Sequence, residues 1–195
     1  TAADGVAAVE VEYEPLPVVV DPFKALEPGA TKVRDDKESN HIWHWEVGDR
    51  AATDKAFRDA EVTVKQDMYI PRIHVASIET CGIVADWDPV RSQLTMHMTT
   101  QAPHAIRTVI ALVAGHLGLA EHKIRVIAPD IGGGFGGKVP VYPGYVLAIG
   151  ASVLTGLPVK WVEDRSENIQ ADSFARDYHI TAEIAAKKDG TVEAL

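Results

Sequence analysis

The run Ile131-Gly132-Gly133-Gly134-Phe135-Gly136-Gly137-Lys138 places five glycines in six positions. Each of them gives up side-chain packing and loses more backbone freedom on folding than any other residue would, which makes sense where main chain must come close to another group. A tight turn needing positive φ explains one or two glycines; five point to a ligand. The run lies between a predicted strand, Lys123–Ala128, and a predicted helix, Tyr142–Leu154. Amides exposed near a helix N-terminus favour an anion, phosphate or pyrophosphate above all.

Two nucleotide motifs fit by letter. Gly132, Gly137 and Lys138 have the spacing of a P-loop, but Val139 and Pro140 stand where a magnesium-binding Ser/Thr is needed. Gly132, Gly134 and Gly137 satisfy G-x-G-x-x-G, and the next predicted strand, Pro158–Glu163, ends in acids that could hold a ribose. Against that dinucleotide reading, Pro129-Asp130 separates the loop from its strand, and Pro140 and Pro143 delay the helix. A parallel βαβ unit with the loop at its switch point would support it.

Around the loop the periodicities predict an α+β chain. Val6–Val20 alternates Val with Glu and reads as strand, turn and second extended run; Asp21-Pro22 opens a short helical turn. Charged and polar residues from Glu27 to Asp49 read as a linker. Thr53 is the expected N-cap of a helix over 54–61. Strands are predicted at Glu61–Ile70, Cys81–Trp87 and Leu94–Thr100, with a turn opening at Asp86-Trp87-Asp88-Pro89. Ile106, Val109, Ile110, Val113 and Leu117 then draw an apolar stripe along a helix ending near Gly118. The tail, Asp177–Ala186 and Val192–Leu195, reads as a hairpin around Lys188-Asp189-Gly190. Val139–Val159 carries no charge over a bilayer-like length, but its prolines and glycines make it a buried helix instead of a span. Thr1 begins without an initiator Met or leader, so the sequence reads as an excised piece.

Composition mainly excludes. The 19 basic and 28 acidic residues leave a net charge of −9, and no basic patch appears, which argues against a nucleic-acid partner. The single cysteine, Cys81, can form no internal disulfide and reads as a small buried hydrophobe in a reducing compartment. His41 and His44 have tempting spacing but no third ligand, and read as surface packing. His104 and His179 receive no chemical role, and Glu163-Asp164-Arg165 reads as a charged strand end and turn. No metal ligand is assigned.

GGGFGGK at 132–138, preceded by Thr100-Gln101-Ala102-Pro103-His104 and followed by PVKWVEDRSEN and FARDYH, resembles the large subunits of aerobic molybdenum–copper carbon monoxide dehydrogenases. More broadly it resembles the xanthine dehydrogenase/aldehyde oxidase superfamily of molybdenum hydroxylases. VEYEPLPVVVDP, IETCG and VYPGYVLAIGAS extend the likeness over nearly the whole chain.

The resemblance implies a fold division: residues 1–26 ending an N-terminal hammerhead-like domain, a linker at 27–49, and 50–195 forming part of the first molybdopterin-binding domain. It implies that Gly134, Phe135 and Gly136 contact the cofactor and that Gln101 hydrogen-bonds an oxygen ligand of molybdenum, an amide donating without adding charge. The implied cofactor is molybdopterin cytosine dinucleotide with molybdenum, plus copper in a true carbon monoxide dehydrogenase. The implied partners are a [2Fe-2S] small subunit and an FAD-binding medium subunit, in a dimer of heterotrimers. The implied place is the cytoplasm, either free or peripheral on the inner face of the membrane. The copper-binding cysteine and the glutamate near molybdenum are expected downstream of Leu195, so the chain alone is expected to be inactive. An aldehyde or N-heterocycle hydroxylase without copper keeps the same fold and changes the substrate.

Overall fold

A computed structural model describes residues 2–115 and 118–195, so Leu117 of the predicted stripe lies outside the described residues. The chain divides into two compact units, Thr1–Arg58 and Asp59–Leu195.

In the first unit, helix α1 covers Ala2–Ala7, and no regular structure follows it until a 3₁₀ turn at Lys24–Leu26. The strand expected over Val6–Val20 is therefore absent. Alternating Val and Glu specify a strand only when an edge pairs with it and a face is covered; Val9, Val11, Val18 and Val20 are all exposed. The expected turn at Asp21 does form, with Asp21 Oδ1 accepting the N–H of Phe23 at 2.9 Å and of Lys24 at 3.1 Å. Asn40 organises the polar stretch that follows. Its Nδ2 donates to the carbonyls of Ala25 (3.0 Å) and Thr31 (2.9 Å), and its Oδ1 accepts the Val33 N–H at 2.8 Å. Helix α2 runs from Arg50 to Asp59, earlier than expected. Asp49 caps it, its Oδ1 accepting the Ala52 N–H at 3.0 Å, so Thr53 sits inside the helix. An aspartate ahead of the first turn relieves the same free amides that a threonine would.

The second unit carries two sheets. One pairs β1 (Val62–Ile70), β6 (Tyr178–Ala186) and β7 (Val192–Ala194) in the order β1-β6-β7. The β1–β6 ladder is antiparallel from Val62↔Ala186 to Ile70↔Tyr178. The expected β6–β7 hairpin closes with Gly190 N–H on the Lys187 carbonyl at 3.0 Å.

The other sheet has the order β4-β3-β2-β5, from β2 (Gly82–Asp88), β3 (Gln93–Met98), β4 (Ile124–Ile127) and β5 (Val159–Val162). Its β2–β3 hairpin turns where Asp88 Oδ1 accepts the N–H groups of Val90 (2.9 Å) and Arg91 (3.0 Å). Side chains alternate across a strand, so Ile83, Ala85, Leu94, Met96 and Met98 fall on one buried face.

Helices α3 (Pro103–Ala114) and α4 (Pro143–Thr155) cover that face. Both begin with proline at the first turn, where its missing N–H has no helical partner to lose. Along α3, Ile106, Ile110 and Ala114 are buried, whereas Val109 and Val113 of the predicted stripe are exposed. Tyr145, Ala148, Ile149 and Ser152 form the inner face of α4. Full burial of each large apolar side chain contributes roughly 1.5–3 kcal/mol. No helix among the described residues is long and apolar enough to cross a membrane. Of the segment Glu163-Asp164-Arg165, expected as a strand end and turn, Glu163 does follow directly on β5, but Asp164 caps a helix, α5 (Arg165–Ala171), in place of the expected turn.

Candidate functional site

The glycine loop lies between β4 and α4, and an irregular segment, residues 75–79, runs against it, with Ala76 at φ +42°. Every second residue of that segment meets a glycine. Glu79 N–H donates to the Gly132 carbonyl at 3.2 Å; Ser77 Oγ donates to the Gly134 carbonyl at 3.5 Å; a Cβ on Gly137 would lie 2.7 Å from Val75 Cγ2. These contacts bring two stretches of irregular main chain together without a regular ladder.

On its other side the loop closes around Gln101. Gln101 Oε1 accepts the N–H of Gly136 at 3.0 Å and of Lys138 at 3.2 Å. Gln101 N–H donates to the Lys138 carbonyl at 3.0 Å, and Thr100 Oγ1 donates to the same carbonyl at 3.2 Å. The contact is close enough that a Cβ on Gly134 would sit 2.5 Å from Gln101 Oε1 and would displace the amide from its place against the loop. Gly136 has φ +93°, where a side chain is strained.

Two accepted amide hydrogens fix which end of the Gln101 side chain is which. Its oxygen faces the loop, and its Nε2 is left as an exposed donor without a partner among the described residues. At the tip of the loop, the N–H groups of Gly133, Gly134 and Phe135 likewise find no acceptor among the described residues. Phe135 itself has φ +50° and is 74% exposed, so its ring is not a core residue of this chain. Convergent unpaired donors on a glycine backbone are the requirements for holding an anionic or oxo-rich group. The predicted residues Gln101, Gly134, Phe135 and Gly136 thus come together in one place.

Sequence reasoning did not find what holds them. Arg165, at the start of α5, donates through Nη2 to the carbonyls of Ser77 (2.5 Å) and Ile78 (2.9 Å) and through Nη1 to Asn168 Oδ1 at 2.5 Å. Tyr142 Oη donates to the Gly137 carbonyl at 2.5 Å and accepts the Ser173 N–H at 3.3 Å. Lys138 Nζ, on a side chain only 2% exposed, pairs with Glu79 Oε2 at 2.8 Å. That ammonium and the Gly132 N–H hold the Glu79 carboxyl below its ordinary range. A D-x-x-E spacing at Asp164–Glu167 was the available signal for α5; nothing in the residue pattern marks 75–79.

A second cluster lies behind the loop. Cys81, Glu163 and Asp172 are buried, with candidate donor atoms within 4.8 Å of one another. Asn168 Nδ2 sits between the carboxylates, donating to Glu163 Oε2 at 3.1 Å and Asp172 Oδ2 at 2.5 Å. Cys81 N–H donates to Glu163 Oε2 at 3.1 Å, and its Sγ to Asp172 Oδ2 at 3.8 Å. The donors engage one oxygen of each carboxylate, and two buried carboxyls this close favour sharing a proton. Burial, then the Glu163 carboxylate beside it, raises Asp172 to about 6. Burial pushes the Cys81 thiol up to about 12.

The four histidines singled out by sequence gather around no common centre. His44 lies 3.8 Å from Glu46 with both side chains exposed, His41 is exposed, and His179 stacks on Tyr69 at a centroid distance of 4.4 Å. His104 is exposed on the first turn of α3.

The dinucleotide reading fails on topology. Residues 128–142 separate β4 from α4, and β5 pairs with β2, two strands away from β4. A dinucleotide site needs the helix to follow its strand directly and the next strand to lie beside the first.

A glycine loop with unpaired backbone donors on an α+β scaffold, with an oriented amide beside it, has the features of a cofactor-binding domain. The chain belongs to the molybdopterin cofactor-binding domain family, whose model matches residues 33–195. It is 52% identical over 206 aligned positions to the carbon monoxide dehydrogenase large chain of Hydrogenophaga pseudoflava, covering 100% of this chain and 25% of that one. It is 35% identical to the nicotine 6-hydroxylase large subunit of Paenarthrobacter nicotinovorans, covering 100% and 23% respectively. Among solved structures, reconstituted CO dehydrogenase from Oligotropha carboxidovorans superposes with TM-score 0.85 at 54% identity, over 98% of this chain and 25% of that one. The chain thus spans about a quarter of the length of the relatives it matches. These relatives are molybdenum hydroxylase oxidoreductases.

Proposed function

We propose that this chain builds one wall of the molybdenum–pterin pocket in a large subunit that oxidises carbon monoxide with water to carbon dioxide, two protons and two electrons. The observation that carries the reading is the Gln101 amide, held by two loop N–H groups so that Nε2 points away as a donor beside three unpaired backbone amides. Unpaired donors on a glycine backbone packed against Gln101 fit an oxo-bearing metal and an anionic pterin. The bound molybdenum–pterin would supply the two-electron redox chemistry. This chain's residues would position and polarise. Gln101 donates a neutral hydrogen bond, the amides of Gly134 and Phe135 line the approach beside Gly136, whose N–H holds Gln101, and the Phe135 ring excludes water.

The finer assignments follow the relatives. The cofactor is molybdopterin cytosine dinucleotide, with copper held by a cysteine elsewhere in the large subunit. Electrons leave through a [2Fe-2S] subunit to an FAD subunit, in a dimer of heterotrimers in the cytoplasm or peripheral on the inner membrane face. Residues 1–26 close a hammerhead-like domain, 27–49 link, and 50–195 begin the pterin-binding domain.

Purification of the full large subunit with its partners, followed by molybdenum, copper and pterin analysis, tests the reading. Stoichiometric molybdenum and pterin with carbon monoxide-dependent dye reduction is the expected result; absence of both molybdenum and pterin overturns it. Molybdenum without copper, with turnover of an aldehyde or N-heterocycle, would assign the other substrate class. Gln101→Ala should lower kcat by about 10²–10³-fold, the usual cost of one oriented donor.

A further inference from the structure

We infer that Glu79 and Lys138 are positioning residues, an ion pair that closes the glycine loop into a ring and thereby fixes the direction in which Gln101 presents its amide. The inference rests on the pocket reading above and deepens it. One oxygen of Glu79, Oε2, accepts both the Gly132 N–H at 2.6 Å and Lys138 Nζ at 2.8 Å, so a single atom ties the first residue of the loop to the last. Glu79 N–H returns a third bond to the Gly132 carbonyl at 3.2 Å.

Lys138 makes the link to Gln101. Its ammonium is bound to Glu79, its carbonyl accepts from Gln101 N–H and Thr100 Oγ1, and its N–H donates to Gln101 Oε1. The Gln101 amide therefore keeps its orientation only while the loop backbone from Gly136 to Lys138 stays in register. If that backbone moved by about an ångström, the hydrogen bonds holding Oε1 would be too long. The amide could then rotate by half a turn and present an acceptor where the pocket needs a donor. A nearly buried ammonium also demands its counter-charge, and removing Glu79 alone leaves it uncompensated. The low carboxyl of Glu79 agrees with a pair that stays ionised.

Neither side chain needs to touch cofactor or substrate, which separates this role from that of Gln101. The test uses the complete holoenzyme carrying Glu79→Gln, Lys138→Met, the double change, and the conservative Lys138→Arg. Both single variants should retain molybdenum and pterin within twofold. They should lower kcat about 10–100-fold, as loss of an outer supporting partner does, with KM little changed. They should alter the molybdenum(V) electron paramagnetic resonance spectrum and speed hydrogen exchange in the peptide spanning 132–138. Lys138→Arg should restore the wild-type spectrum and most of the rate. The double variant, with neither charge left unpaired, should fall less than the two single losses multiplied.

Single variants with wild-type spectrum, exchange and kcat overturn the inference, as does full additivity in the double variant. If Glu79→Gln fails to fold, Lys138→Arg decides: a wild-type spectrum supports the pair, and an altered spectrum with unchanged loop exchange overturns it. A wild-type enzyme lacking molybdenum and pterin instead overturns the pocket reading itself.

Discussion

Asp172 and Glu163 show what a buried polar cluster does to a single residue. With Glu163 and Asp172 both almost fully buried and one Asp172 oxygen, Oδ1, without a partner among the described residues, the two carboxyls cannot both ionise cheaply. Asp172 is raised from 3.8 to about 6, so between those values the folded chain keeps a proton that the unfolded chain has released. Stability from this group is therefore lost as pH rises through about 6, opposite to the usual carboxylate. Asp172→Asn should stabilise the chain relative to wild type, by a margin that widens on the order of 1 kcal/mol between pH 5 and pH 8. Urea unfolding at three pH values reads the margin, and a margin that stays constant would count against the shared proton. Cys81, 1% exposed and raised to about 12, should remain a thiol at neutral pH and resist alkylation until the chain unfolds. Rapid labelling of the native chain by a maleimide would contradict that burial.

At the scale of elements, α5 matters through its first residue more than through its length. Asp164 and Glu167 form a reciprocal capping box, with Asp164 Oδ1 accepting the Glu167 N–H at 2.8 Å and Glu167 Oε2 accepting the Asp164 N–H at 2.8 Å. Asp164→Ala should cost about 1 kcal/mol. It should also loosen the grip of Arg165 on the Ser77 and Ile78 carbonyls, seen as faster amide exchange in 75–79 as well as in α5; exchange confined to α5 would break that link. Elements with strong local signals were legible. Proline at the first turn and apolar spacing announced α3 and α4, and glycine density announced the loop. What escaped depended on partners distant in sequence. The β1–β6 ladder joins residues more than a hundred positions apart, and residues 75–79 owe their role to the loop they face. The valines of 9–20 had the right alternation and no edge to pair with, so local pattern misled there. At the candidate site, Gln101 and the glycines were readable from the resemblance, whereas Glu79, Arg165 and Tyr142 were not.

For the whole molecule, the exposed apolar side chains are informative. Within the first unit Tyr13, Leu16, Trp43 and Trp45 are each more than 70% exposed. Exposed aromatic and aliphatic groups in such number mark surfaces that other protein covers, consistent with a chain spanning a quarter of the length of its relatives. The isolated 195-residue chain should therefore bind the hydrophobic dye ANS strongly in its native state. The complete large subunit should bind far less per residue, and equal binding by the two would contradict the covering. The pairing of every second residue in 75–79 with a glycine has a practical consequence for engineering. A graft of GGGFGGK into a foreign scaffold would carry the letters and lose the shape, because half the mould is Val75, Ser77 and Glu79. The smallest transplantable unit is two-stranded, and a donor loop and its facing segment must be exchanged together.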